Sequence, residues 1–479
     1  MKITQIDIQN FRAFYGSHTL NLNDGKNLII YGENGSGKSS LFLALKRFVL
    51  SSTQPEPIAP YRNIFADQTI PDTLIRFHIT HPRNNKITTH EWSTSNPQGH
   101  HQPTIQQAAL TSGFLDYRSL LETHFLTPTN NRVNIFPLII NTLFADLKNE
   151  SSGNTFAQDW KNIISRMEQR HTEKLNQEIT DWVDKLNVGL KDKLLELNGK
   201  LIDIFGRFGY TNVVQLTLDF PGLVFNSSKK IIMRKEIILS VKFFNQVIPK
   251  HHQFLNEAKL SAIGLSLYLA ALQIIPGLNK PNPNLLRVLV LDDVLIGFDM
   301  SNRLPLIKIL KDYFSTYQIF LLTHDLEWYE ILKTRLDEKI WKPIEIYASR
   351  EDVEYEIPVI ADQKQYLEKA EFYLQNNDYK AAAIYIRTAF ESILKSYCDK
   401  CGIPIKFKEK AKELSSQDFW VVIKPKLSAQ LSDDIEHART LIMNPLSHAR
   451  IVNVYPGEIK EAIELIKNLK NELSKLKNP

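Results

Sequence analysis

Between Asn27 and Leu45 the chain reads NLIIYGENGSGKSSLFLAL, and this stretch leaves little choice about the fold around it. Leu28 to Tyr31 is an apolar run of the kind that forms a buried strand. Gly32-Glu33-Asn34-Gly35-Ser36-Gly37-Lys38-Ser39 then fits G-x-x-x-x-G-K-[ST], and an apolar helical run follows. Strand, glycine loop and helix in that order predict a phosphate-binding loop. Gly32, Gly35 and Gly37 let backbone N–H groups wrap an anion with no Cβ in the way, and Asn34, Ser36 and Ser40 complete the cofactor-binding set. Lys38 is placed to reach the β- and γ-phosphates, and the Ser39 hydroxyl to hold Mg²⁺. A plain glycine turn is the competing reading, which the complete pattern with both flanks disfavours.

At 479 residues the chain has room for two or three domains. Its 58 basic and 53 acidic residues give a net charge of +5, which permits a nucleic-acid partner without demanding one. No apolar run approaches the ~18 residues of a membrane span, which predicts no membrane partner. The first residues lack a leader pattern. Two cysteines do not make a disulfide framework, so a cytoplasmic location is the expectation.

Residues 2–31 read as three strands, and 73–92 contain further strand-like runs. Residues 93–103, with His100 and His101, read as a solvated polar loop; two histidines alone are too few ligands for a metal. Residues 104–147 look helical. From about Gln158 to Phe208 a long amphipathic pattern places Leu175, Ile179, Trp182, Leu186, Leu190, Leu194, Leu197, Leu201 and Ile204 three or four apart. Gly189 and Gly199 mark candidate breaks. A single helix of this length would span about 75 Å; a lone arm and a folded-back pair both satisfy the periodicity.

Strands return at 214–220 and 237–244, among Lys229, Lys230, Arg234, Lys235, Lys242, Lys250, His251 and His252. These basic residues fit a DNA-facing edge or solvated charge on a β-edge. An apolar helix begins near Phe254-Leu-Asn-Glu-Ala-Lys. Leu285 to Leu291 is a near-continuous apolar run ending in Asp292-Asp293, as a central parallel strand carrying a Mg²⁺-binding carboxylate does. Asp299 lies shortly beyond, and a second buried strand, 318–322, ends in Thr323-His324-Asp325.

Taken together these pieces resemble the ATP-binding head of the RecF/RecN/SMC-like ABC-type ATPases. IDIQNFRAF resembles the opening strand, with Arg12 in the usual basic position. GENGSGKSS resembles Walker A, and LNEAKLSAIGLSLYLA the signature helix. VLVLDDVLIGFD resembles Walker B with the D-loop, and FLLTHD the switch-histidine strand. The resemblance implies an ATP and Mg²⁺ site closed by a second copy. Lys38 and Ser39 would bind triphosphate and metal, and Asp292 would join the Mg²⁺ shell. Asp293 would stand where the family has a catalytic Glu, and His324 would contact the γ-phosphate. Asn256 to Lys259 would cap the partner's γ-phosphate, and Asp299 would couple the two sites. Leu-Asn-Glu-Ala-Lys departs from Leu-Ser-Gly-Gly-Gln, and Asp293 is one methylene short of Glu, so slow hydrolysis is expected. The family's Q-loop glutamine has no evident counterpart; Gly113 to Leu121 is a candidate replacement.

The expected architecture is α/β: an ATPase head with lobes 1–147 and 211–360, a helical arm insertion at 148–210, and an all-α bundle at 361–479. The short insertion resembles the stand-alone RecF-like ATPases of bacterial antiphage defence, which work with a separately encoded nuclease; DNA repair is the alternative role. The implied assembly is a homodimer through ATP-sandwiched heads, or a higher oligomer, with DNA as a partner. The C-terminal pattern YKAAAIYIRTAFESILKSY with ARTLIMNPLSHAR resembles HEPN-like bundles. Its ribonuclease members carry an Arg, then four to six intervening residues, then His. Here His448 has Leu441, Ile442 and Met443 at those positions, so an RNase is the lesser reading, with Asn444 and His448 expected to lock a helix start or a polar interface. Arg387 is as well suited to an ion pair as to catalysis. Cys398 and Cys401 make half a zinc site or a structural pair.

Overall fold

A computed structural model describes residues 1–66, 72–125, 132–275, 282–349, 355–361, 366–406, 415–443 and 456–476. The chain forms two units, one ending at Ala361 and one beginning at Asp362.

In the first unit β1 (Lys2–Phe11) and β2 (Phe14–Asn21) form a hairpin, and β3 (Asn27–Gly32) runs into the glycine loop and α1 (Lys38–Leu50). Then come β4 (Leu74–Thr80), β5 (Ile87–Ser93), α2 (Pro103–Thr111), β6 (Gly113–Asp116) and α3 (Tyr117–Phe125). A single turn, α4 (Phe136–Leu138), precedes α5 (Phe156–Met167) and α6 (Glu173–Gly206). Short strands β7 (Val214–Asp219), β8 (Val224–Asn226), β9 (Ile231–Met233), β10 (Ile238–Phe243) and β11 (Gln246–Val247) lead to α7 (His251–Phe254) and α8 (Glu257–Gln273). The unit closes with β12 (Val288–Asp292), α9 (Met300–Tyr313), β13 (Gln318–Thr323), α10 (Leu326–Arg335), β14 (Trp341–Ser349) and β15 (Ile357–Ala361).

The central sheet has the order β15-β14-β3-β13-β12-β6. All its pairings are parallel except that of β15, which runs antiparallel to β14. Its inner strands are buried on both faces, which is why they read as unbroken apolar runs. Leu28, Ile30, Val288, Val290, Phe320 and Leu322 face one core, shared with α1 and the antiparallel sheet β2-β1-β4-β5. Ile29, Tyr31, Leu289, Leu291, Ile319 and Leu321 face the other, built with α6, α8, α9 and α10. The period-2 side-chain alternation of a strand sends neighbours to opposite cores. The carboxyl ends of β3, β12 and β13 consequently open at one edge of a rigid, doubly covered sheet.

Three expectations change. His100 is fully buried, not solvated: its Nε2 lies 2.7 Å from Ser51 Oγ and its ring sits against Phe48 and Trp92. Burial holds the imidazole at about 4, hence neutral. The amphipathic stretch is two helices in contact, and α6 runs unbroken through both glycines for 34 residues, about 51 Å. Gly189 is there because Asn149 packs against it; a Cβ would fall 2.1 Å from Asn149 Oδ1. The apolar stripe of α6 belongs to the head's core against α8. Finally, His251 is buried, unlike the exposed lysines and arginines around it.

The second unit contains α11 (Tyr366–Gln375), α12 (Tyr379–Lys400), α13 (Ser416–Ile423), α14 (Ala429–Ala438), a π-helical turn at Arg439–Met443, and α15 (Pro456–Lys475). Asp378 caps α12 by accepting from the Ala381 N–H at 2.9 Å, the break that Asn376-Asn377-Asp378 predicts. Ala382, Phe390, Trp420, Ile435 and Ile466 belong to its own apolar core. Arg439 is buried over the Phe390 and Trp420 rings and is bonded to Glu436 and Gln417. Arg387 pairs with Glu391 at 3.1 Å. Cys398 is buried, Cys401 half-buried, and both are free thiols. Asn444 and His448 lie outside the described residues.

Candidate nucleotide site

The loop after β3 takes the shape its glycines allow. Gly35 and Gly37 have φ of +88° and +102°, the left-handed region that L side chains avoid. Gly32 is tightly hemmed: a Cβ there would lie 2.3 Å from Ser36 Oγ and 2.7 Å from the Ile346 carbonyl. Lys38 is buried, and its Nζ donates to the carbonyls of Gly32 (2.6 Å) and Glu33 (3.0 Å). Burial pushes its pKa down, while the carboxylates of Asp293 and Asp292 push it back up. Asn34 is exposed at the tip of the loop. Ser40 Oγ accepts from the Ala13 N–H at 3.4 Å, tying α1 to the β1–β2 turn.

The other wall comes from distant sequence. Parallel pairing of β12 with β13 aligns Asp292 with Leu322, and pairing of β12 with β6 aligns it with Asp116. Ser39 Oγ donates to Asp292 Oδ2 at 3.2 Å across 253 positions of sequence. Asp292 is buried, and its pKa is pushed up to about 7, first by burial and then by Asp293, with Asp116 adding to it. Its Oδ1 is buried without a hydrogen-bond partner, as is Ser36 Oγ. A buried carboxylate beside two others, with an orphaned oxygen and a serine hydroxyl on its second oxygen, fits a hard cation. Among the described residues no cluster of three His, Cys, Asp or Glu side chains could hold a metal. Mg²⁺ is commonly bound through one or two carboxylates, with water and phosphate completing its shell.

Asp293 sits just past the strand end at φ +52°, a conformation unusual for any residue but glycine, asparagine or aspartate. Its N–H donates to the Leu322 carbonyl at 3.0 Å. Its Oδ1 accepts from the His324 N–H and lies 2.9 Å from His324 Nδ1. The structure thus joins Asp293 and His324 into one pair at the ends of β12 and β13. Asp325 caps α10 through the Trp328 N–H and is held by Arg303 at 2.5 Å.

Arg12 lies in the β1–β2 turn at φ +49° with its side chain exposed, its N–H donating to the Tyr61 carbonyl at 2.7 Å. Asn256 caps α8, its Oδ1 accepting from the Lys259 N–H at 3.2 Å. Lys259 Nζ lies 5.5 Å over the Tyr210 ring, and Asp299 is close enough to raise the pKa of that tyrosine after burial has done so. Gly297 packs against Glu257 and Ser261 of α8, so the turn before Asp299 touches the start of that helix. Asn256, Lys259 and Asp299 therefore belong to one neighbourhood, and no described hydrogen bond or ion pair links them to Lys38, Ser39 or Asp292.

One candidate stretch has a different local structure from that expected, and the pairing of its Asp116 with Asp292 was not foreseen. Gly113 to Asp116, read as helix, is strand β6 beside β12. Four residues are too few to show a period, and only pairing with β12 reveals them. Gly113 is fixed by Leu272 and Leu289, which a Cβ would meet at 2.5 and 2.9 Å. Next to Asp116, Tyr117 donates its hydroxyl to Glu257 at 3.0 Å, so this edge of the site contacts the first turn of α8.

Residues 5–201 match the family model described as AAA domain. No curated protein matches the chain. Among solved structures, the Smc head bound to the C-winged helix domain of ScpA is 13% identical, with 77% of this chain and 100% of that chain covered and a TM-score of 0.43. An Smc head domain with an extended coiled coil, bound to the C-terminal domain of ScpA derived from Pyrococcus furiosus, is 12% identical over 78% of this chain and 99% of that chain, with a TM-score of 0.43. The SMC head domain from Thermotoga maritima is 13% identical over 76% of this chain and 99% of that one, with a TM-score of 0.37. The first unit is an α/β domain, the greater part of whose N-terminal half matches the AAA domain model, and it is followed by a helical C-terminal region. Among the described residues no helix is long and apolar enough to cross a membrane.

Proposed function

We propose that this chain binds Mg²⁺-ATP at the P-loop and hydrolyses it slowly, and that paired heads convert the cycle into a change of assembly. The observation that carries the reading is the meeting of Lys38, Ser39 and Asp292, with one oxygen of Asp292 buried and unpartnered. When bound, Mg²⁺ would neutralise charge on the β- and γ-phosphates. The loop N–H groups and Lys38 bind and orient the triphosphate. Lys38 gives up its two carbonyl bonds to do so. Asp293 takes the proton of the attacking water, and His324 holds that carboxylate in place through Nδ1. The Asp293 carboxylate reaches less far than a Glu would, which keeps turnover slow.

Asn256, Lys259 and Asp299 act on the partner's nucleotide. Arg12, exposed on the turn tied to α1, acts at the phosphate or DNA side of the same rim. DNA association draws support from the exposed Lys229, Lys230, Arg234, Lys235 and Lys242. With α6 laid along the head core, a compact defence-type ATPase serving a separate nuclease suits the chain better than a chromosome-tethering rod. The C-terminal unit, HEPN-like in sequence, serves assembly or partner docking.

The test is phosphate release together with sizing in Mg²⁺-ATP. Asp293→Asn should lower turnover by about 10²-fold, in the range of general-base removal, while retaining ATP and trapping a dimer. Wild-type turnover no faster than that variant's would remove the hydrolytic part of the reading. A monomer in both cases would remove the paired-head part.

A further inference from the structure

Asp293 and His324 stand on two different turns, one leaving β12 and one leaving β13, and their pairing depends on how those turns are held together. The first turn, Asp293 to Phe298, has no regular structure and borders a hollow of about 500 Å³ lined by Leu291, Val294, Leu306, Leu321, Trp328 and Leu332. On that side close packing does not fix it. Its near end is stitched to β13 by the Asp293 N–H, which donates to the Leu322 carbonyl at 3.0 Å. Its far end is stitched by one side chain. Arg303, at the start of α9, donates from Nε to the Phe298 carbonyl at 3.0 Å and from Nη1 to Asp325 Oδ2 at 2.5 Å. Asp325 follows His324 directly and caps α10 through the Trp328 N–H.

An arginine suits this place because its planar fork serves two acceptors at once and stays charged. The Arg303 side chain is only 12% exposed, so little water competes for either bond. Burial would raise the Asp325 carboxyl, but the Trp328 N–H and then Arg303 hold it below the ordinary carboxylate value, so it faces Arg303 as an anion. The Asp293–His324 pair is sensitive to this strut. Both contacts to Asp293 Oδ1 come from His324, one from its N–H and one through Nδ1. A shift of the turn at 324–325 against the turn at 293–298 would lose both together. We propose that Arg303 is a positioning residue for hydrolysis: by bracing Phe298 against Asp325 it keeps the Asp293 carboxylate and the His324 ring in register. It acts through those two residues rather than on phosphate or water.

This inference rests on the hydrolytic reading above, and the experiment keeps the two apart. The full chain is assayed for phosphate release and for Mg²⁺-ATP affinity. Its His324 ring is followed by NMR of ring-labelled histidine, assigned with His324→Gln. Arg303→Met should cut kcat by about 10- to 100-fold, the scale on which small misplacement of a reacting group is felt. ATP affinity should stay near wild type, and the His324 resonance should move. Asp325→Asn keeps a capping oxygen but not the charge, so it should reproduce both effects. The double variant should be no slower than Arg303→Met alone, since the two residues act as one unit. Arg303→Lys, a single-headed donor, should fall between. Unchanged kcat against an active wild type, or an unmoved His324 resonance, overturns the inference. Parallel loss of turnover and ATP affinity also overturns it, since Arg303 would then only hold the fold. Turnover absent from the wild type would strike the hydrolytic reading instead, and the His324 resonance would then decide the strut by itself.

Discussion

The P-loop half of the machinery and the signature half are built on opposite plans. Around Lys38, Ser39 and Asp292, charge is buried, pKa values are displaced, and two polar atoms are left without partners. Around Asn256, Lys259 and Asp299 the polar groups are surface groups already engaged in capping α8 or lying over Tyr210. Buried polar groups left unsatisfied are costly, and a bound ligand is one of the ways a fold completes them. The first half keeps polar atoms that a bound anion and cation would complete. The second has polar groups already partnered within the chain, as the proposed role in trans requires of a surface that acts only against another copy.

The sharpest way to break this contrast is Lys38→Ala. Removing a charge-assisted donor from the pocket should weaken ATP binding by about 100-fold or more in equilibrium titration, and an unchanged affinity would dissolve the distinction.

Next in size is a pH effect confined to the P-loop half. The folded-state value of Asp292, about 7, lies above its ordinary 3.8. Between those values the folded chain binds more protons than the unfolded one, so stability without divalent cation falls as pH rises from about 4 to about 7 and levels off above. The change is on the order of a few kcal/mol. Asp292→Asn should flatten that slope in thermal melts with chelator, and Mg²⁺ should raise the wild-type midpoint at pH 8 but not that of the variant.

Gly189→Ala probes the packing under the signature helix, since α6 lies against α8. Its Cβ would collide with Asn149, costing about 1–3 kcal/mol of stability in denaturant unfolding, with tripolyphosphate affinity unaltered. The smallest effect belongs to Asn256→Ala. Loss of the cap should cost about 1 kcal/mol and leave nucleotide affinity of the monomer intact, while ATP-dependent dimers disappear in sizing. Dimers that persist would show that the signature half has no role in trans.

Part of this was legible in the chain itself. A parallel strand buried on both faces must be a continuous apolar run, so Leu28–Tyr31, Leu285–Leu291 and the run ending at Thr323 are readable without a structure. Glycines required at positive φ, as at 35 and 37, are equally visible, because no other residue adopts that backbone without strain. The cap at Asp378 is local chemistry and reads directly. His100 misled because a polar segment rich in Pro and Gly looks solvated, and only packing against Phe48 and Trp92 buries it. Gly189 misled because helix propensity penalises it, whereas tertiary packing requires it.

What the sequence determined, then, is the set of short-range parts: the phosphate loop, the apolar strands, their terminal carboxylates and the caps. Their distances were decided by the tertiary structure. Asp116 reaches Asp292 only through the register of β6 on β12, and Asp293 reaches His324 only because β12 and β13 are neighbours. Tyr355 reaches Phe65 across almost three hundred positions of sequence, a separation that leaves no local trace. Periodicity and propensity act over a few residues, whereas strand order and register are set by how two cores close on one sheet.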